Sequence, residues 1–245
     1  MKRFLISLAL VLAFVSIPVL REWPVVRLLA AADVNHTFGA GVDSWTTSNT
    51  NYTVPSVTAG NSIIVAMACG TGSTTFGAND ATNGAYSSGV TNIGGIAGTS
   101  AAVYYFHNSA GGVTTVRVTS STTCNGVVFI YEVSGLANAV PAFTGTTNNT
   151  TGTNHTCSSS GLTQTNGFSV CAAMMGAGVA QTQGSGWTKA TTPNNARFSQ
   201  YRFTSISSDT GPFTSTSDSG SAVMAVFADV AASTTNRGLL MGIFP

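Results

Sequence analysis

Glu132 is the side chain whose setting could do chemistry. It lies inside NGVVFIYEVSG (Asn125–Gly135), a run of β-branched and aromatic residues. Burial there would hold its carboxyl protonated and fit it to act as a general acid. A glycan-cleaving enzyme would need a second carboxylate roughly 5–10 Å away. None is nominated, because Asp33, Asp43, Asp80, Asp209, Asp218 and Asp229 stand in polar or terminal contexts. A buried carboxylate is costly unless paired. Glu132 is therefore expected to be hydrogen-bonded or ion-paired, with Arg117 or Arg202 as the leading partner in a structural ion pair, since these hold comparable places in two hairpins.

Other reactive groups are sparse. His36, His107 and His155 are scattered and are expected to face solvent. No G-x-S-x-G elbow, H-E-x-x-H pair, Rossmann glycine fingerprint or P-loop occurs. Asn79, Asp80 and Asn83 in GANDATNGAY could offer oxygens to Ca²⁺, but calcium wants six to eight oxygens and usually several carboxylates. A hairpin turn closed by the Asp80 side chain is expected instead. Trp45, Tyr52 and Trp187 lie in or beside loops rich in Ser, Thr, Asn and Gly. That mixture suits a sugar site, and it suits equally a set of rings closing the ends of a core. No catalytic residue, metal or cofactor is assigned.

Strands must position these residues. In Asn125–Gly135, Val127, Phe129, Tyr131 and Val133 share one face on a period of two, and Val128, Ile130 and Glu132 the other. Such a strand has both faces largely covered. Around it, Ser62–Ala68, Ala101–Asn108 and Val113–Thr119 also read as strands, separated by Gly- and Asn-rich turns. Leu136–Ser160 reads as a polar surface connection. The second half faintly repeats the first: Gly60–Gly70 sets against Asn166–Gly176, Ala102–Thr119 against Ser199–Ser215, and Asn125–Val133 against Gly220–Ala228. Two strand sets that each leave an apolar face bare complete one another. Residues 33–230 are thus expected to form an all-β, antiparallel two-sheet β-sandwich, jelly-roll-like, of roughly eight to ten strands.

Cysteine placement follows from that arrangement. If the central strand runs antiparallel beside Ser62–Ala68, the end of one meets the start of the other, which places Cys69 near Cys124. Cys157 and Cys171 are symmetric about Gln164 and could face across a hairpin. Disulfides Cys69–Cys124 and Cys157–Cys171 are expected, and an even count without C-x-x-C spacing argues against zinc.

The flanks and composition bound the location. Lys2 and Arg3 precede the apolar run Phe4–Leu20, and Ala30, Ala31 and Ala32 offer small residues before Asp33. Residues 1–32 read as a signal peptide or an uncleaved membrane anchor. Either places the rest outside the cytoplasm: extracellular, at the cell surface, or periplasmic. Residues 231–245 form an apolar tail (GLLMGIFP at its end), read as an additional edge strand or a contact with other copies of the chain. Charged residues make up 7% of the 245-residue chain, against roughly 25% in ordinary domains, and the net charge is +1. No basic field for nucleic acid exists.

Asp80, Asn83, Gly84 and Tyr86, followed by Glu132, Val133, Ser134 and Gly135 at a strand end, give the chain a further likeness. In these residues it resembles β-sandwich domains widespread in bacterial extracellular proteins, which carry an Asp…Asn-Gly turn and a Glu-x-Ser-Gly strand end. Val133 stands where that pattern has Tyr. The resemblance implies fold and location and brings no catalytic residues. The expected function is a secreted or cell-surface non-catalytic protein with a structural or adhesive role. The alternatives are a carbohydrate-binding module using Trp45, Tyr52 and Trp187, and a secreted glycan-active enzyme built on Glu132.

Overall fold

The computed structural model describes residues 33–40, 49–70, 75–159, 164–176, 180–190, 197–206 and 210–230. The N-terminal segment 1–32, Trp45 and the tail 231–245 lie outside them.

Asn125–Gly135 becomes strand β9 (Gly126–Ser134), and its first eight residues are all buried. It pairs antiparallel with β1 (Asp33–Ala40) on one side and β3 (Ser62–Cys69) on the other. Beyond β3 come β7 (Ser100–Phe106) and β6 (Ser87–Asn92), giving the order β1-β9-β3-β7-β6. A second sheet runs β2-β8-β4-β5, from β2 (Asn49–Thr53), β4 (Phe76–Asp80), β5 (Gly84–Ala85) and β8 (Thr115–Ser120). With β6 set aside, the remaining eight strands run first-eighth-third-sixth in one sheet and second-seventh-fourth-fifth in the other. That order is a jelly roll, two Greek keys folded face to face. Its core joins Ile63, Val65, Met67, Val128 and Ile130 to Phe76, Val116 and Val118.

The opposite face of the β9 sheet is equally apolar, and a third sheet covers it. This sheet has the order β10-β15-β11-β14-β13, from β10 (Phe143–Ser158), β11 (Gln164–Met175), β13 (Thr188–Lys189), β14 (Arg197–Ile206) and β15 (Thr210–Ala228). Ile64, Ala66, Phe129 and Tyr131 pack there on Phe168, Val170, Val223 and Phe227. The Tyr131 hydroxyl hydrogen-bonds Ser199 across that layer. An all-β antiparallel sandwich is therefore present, with three sheets where two were expected. A strand apolar on both faces needs a layer on each side.

The repeat is real in space. β9-β3-β7 matches β15-β11-β14, and the two strand sets face one another across the shared core. The sequence match slips by one residue on β15, however. It sets Phe129 against Met224, whereas Phe129 and its counterpart Val223 both point into the core, opposite Ala66 and Ala172 respectively. A one-residue slip turns every side chain to the other face.

The polar tract within Leu136–Ser160 is β10, not a loop. Thr is a good strand former, and an edge strand can leave alternate residues wet. Phe143–Asn149 pairs with Val226–Gly220, and Asn154–Ser158 with Thr214–Thr210, with irregular register between. Asn149 exchanges side-chain hydrogen bonds with the Thr156 backbone, at 3.1 and 2.9 Å. A Cβ on Gly145 would overlap the Ser158 carbonyl at 1.8 Å. The β10–β15 ribbon thus folds back over the outer face of its own sheet, where β12 (Gln181–Gln183) pairs with it. Beneath this flap lies a third core with Trp187, Phe198, Phe213 and Met224.

Both disulfides have the expected partners. Cys69 and Cys124 have Cα atoms 5.6 Å apart, Cys157 and Cys171 5.9 Å. The first joins the end of β3 to the start of β9, as strand adjacency requires. The second joins the flap to β11 between layers, not across a hairpin, because β15 lies between β10 and β11.

Candidate functional site

Glu132 is 1% exposed on the jelly-roll face of β9. Its Oε1 accepts hydrogen bonds from Asn61 Nδ2 at 2.6 Å and from the Thr58 backbone N–H at 2.8 Å. Those donors belong to the tight turn before β3, in which Gly60 takes φ +86° and Asn61 N–H bonds Thr58 O. The carboxylate ties the turn to the central strand. Neither expected arginine reaches it. Val116 and Val118 point into the core, so the alternation of β8 turns Arg117 outward. Arg202 stacks over the Trp187 ring at 4.6 Å, beyond the third sheet. Comparable places in two hairpins lie here in different layers. Glu132→Gln keeps an accepting oxygen for both of these donors, so it should cost less stability than Glu132→Leu. Glu132→Leu strands both donors and should cost about 2 kcal/mol in urea unfolding. An equally large loss in the Gln variant would count for a charge partner instead.

Asp80 closes its turn as the spacing predicts. Oδ1 accepts from the N–H groups of Thr82 and Asn83 at 2.7 and 2.6 Å. Oδ2 accepts from Asn83 Nδ2 at 2.9 Å and the Tyr86 hydroxyl at 2.6 Å. Burial, then the Asp80 carboxylate, pushes the Tyr86 phenol far above its ordinary range. Asn83 Oδ1 also accepts from Ala110 N–H at 3.0 Å, fastening this turn to a neighbouring loop. Both Asp80 oxygens are occupied by N–H and O–H donors, the pattern of an Asx turn.

Two of the three histidines are not on the surface as expected. His107 and His155 are buried. His107 Nδ1 bonds Ser62 Oγ at 2.7 Å, and the ring packs against Tyr105 and Phe227. Burial pushes its pKa below the ordinary value. A Ser–His contact of this length could activate a nucleophile, but Ser62 is 2% exposed, beyond the reach of a substrate. A cleft of about 550 Å³ opens nearby, lined by Ser87, Tyr105, His107, Asn138 and Val140. His155 Nε2 bonds Ser215 Oγ at 2.8 Å and holds the flap strands together. The side chain of His36 lies outside the described residues.

The aromatic platform expected for sugar is also displaced. Tyr52 is 6% and Trp187 5% exposed, each packed into a core. Both close core ends and present no free ring face.

A site without aromatic residues lies on the outer face of the β2-β8-β4-β5 sheet. Asn51, Arg117 and Asn79 stand directly opposite one another on β2, β8 and β4. Arg117 and Asn79 each stand between two buried residues and Asn51 beside buried Tyr52, so all three point outward. They line a cleft of about 330 Å³ with Asp80, Ala81 and Thr115. The signal in the sequence was the alternation itself, in NYT, VRV and AND, but only strand pairing puts the three in a row. No family model, characterised protein or solved structure matches the chain.

Proposed function

We propose that the protein works outside the cytoplasm as a non-catalytic β-sandwich with a structural or adhesive role. One observation carries this reading: the interior ionisable groups with catalytic potential are engaged in holding turns and layers together. Glu132 binds the Thr58–Asn61 turn, Asp80 its own turn, and His107 the buried Ser62. Two disulfides fit an oxidising compartment. No helix among the described residues is long and apolar enough to cross a membrane. Glu132, being buried, lacks the open cleft that a glycan-active enzyme would require. Glycans or further copies of the chain are the partners such a role implies.

Fractionation of cells expressing the full chain, with thiol alkylation before and after reduction, tests this. The protein is expected outside the cytoplasm, with all four cysteines alkylated only after reduction. Recovery in the cytosol with freely alkylated thiols would overturn the reading.

A further inference from the structure

The row Asn51–Arg117–Asn79 is chemically lopsided. The Arg117 guanidinium is exposed and meets no hydrogen-bond or ion-pair partner among the described residues, and the same holds for the amides of Asn51 and Asn79. Neighbouring strands stand about 4.8 Å apart, so the three heads form one short line of donors. The carboxylate in the cleft wall, Asp80, cannot serve as the matching acceptor. Its oxygens already take four hydrogen bonds from Thr82, Asn83 and Tyr86, and it is 6% exposed. Free donors therefore outnumber free acceptors, which selects a group that only accepts. A guanidinium fork fits a carboxylate or sulfate with two parallel N–H···O bonds. The surroundings are hydroxyls and amides: Asn49 and Thr119 in the next row, Thr53 and Thr115 in the row on the other side. Thr119 Oγ1 leans over Gly77, where a Cβ would approach it to 2.5 Å, so no side chain walls off that approach to Arg117.

We propose that this cleft binds a carboxylate or sulfate group carried by a saccharide chain. Arg117 takes the anion, and Asn51, Asn79 and Thr115 take adjacent ring hydroxyls. The inference rests on the adhesive half of the reading above and names what the adhesive face would hold.

The test uses the purified full chain with polygalacturonate, dextran sulfate, neutral dextran and polyglutamate, measured by affinity electrophoresis and calorimetry. One or both acidic polysaccharides should bind, which tells carboxylate from sulfate, and neutral dextran should not. Arg117→Gln should weaken binding roughly ten- to hundredfold with an unchanged melting temperature, because the side chain is exposed. Arg117→Lys should recover only part, since it keeps the charge and loses the fork. Asn51→Ala and Asn79→Ala should each weaken the saccharide. Equal binding of neutral dextran, absence of binding to either acidic polysaccharide, or indifference to Arg117→Gln would overturn the proposal. Polyglutamate bound as tightly as polygalacturonate would overturn its saccharide half. Each of these outcomes is independent of the cell fraction that tests export.

Discussion

Replacing Cys69 and Cys124 together by alanine is expected to lower the unfolding free energy by about 4 kcal/mol. The bridge spans 55 residues of sequence, and the chain-entropy cost of closing a loop of that length is of this order. Both sulfurs are buried at the jelly-roll core. They fasten the end of β3 to the start of β9, the two strands on which both other sheets pack. Loss of the bridge should therefore lower the whole transition. Urea unfolding followed by fluorescence and by circular dichroism should give one shifted midpoint, the same by both probes. An unfolding free energy within about 0.5 kcal/mol of the parent, on the scale of an ordinary surface change, would show that strand pairing alone fixes this junction.

Loss of the second bridge should read differently. Cys157→Ala with Cys171→Ala removes a loop of 14 residues, for about 3 kcal/mol. The bond ties the folded-back ribbon to β11, and the ribbon's own main-chain partners are in β15 and β12. Without the bond, the flap is held by Phe213 on Phe198, by the Asn149 amide on the Thr156 backbone and by the Gln200 amide on the Pro212 carbonyl. The flap should then open below the global transition. Limited proteolysis should cut first within 154–158 or 210–214 while the jelly roll stays intact. Cutting that begins elsewhere, or a single cooperative transition, would mean that flap and sheet unfold as one unit.

The contrast between the bridges reflects how the second half is built. Its sheet leaves an outer face bearing Cys171, Ala173, Met175 and Met224, which no fourth sheet covers among the described residues. The chain covers that face with its own longest strand pair, bent where Asn149, Gly152 and Asn154 break register. Gly145 and Gly211 allow the close approach: a Cβ at Gly145 meets the Ser158 carbonyl, and one at Gly211 crowds Gln200, Met224 and Trp187. With so few charges to keep molecules apart, an uncovered apolar sheet would invite association.

By itself, the sequence determined the all-β fold class, the central strand and the Cys69–Cys124 pair; the Cys157–Cys171 pair forms between layers and not across the hairpin that its spacing suggested. The first three are consequences of short-range pattern. A period of two states which side chains share a face, Asp80 with Asn83-Gly84 states where the first half turns, and antiparallel adjacency states which strand ends meet. The same pattern is silent on what each face meets. Val128, Ile130 and Glu132 share a face, yet only packing revealed that Glu132 meets the Thr58–Asn61 turn and that Arg117 and Arg202 point elsewhere. Tyr52 and Trp187 sit beside loops in the chain but inside cores in space, Tyr52 turned from β2 into the jelly-roll core and Trp187 into the core beneath the flap. His107 and His155 lie inside, where Ser62 and Ser215, each far away in sequence, meet one ring nitrogen apiece. The third sheet, the folded ribbon and the Asn51–Arg117–Asn79 row were decided by tertiary structure, since each depends on which strands become neighbours, and that choice is made by the burial of whole faces rather than by any local run of residues.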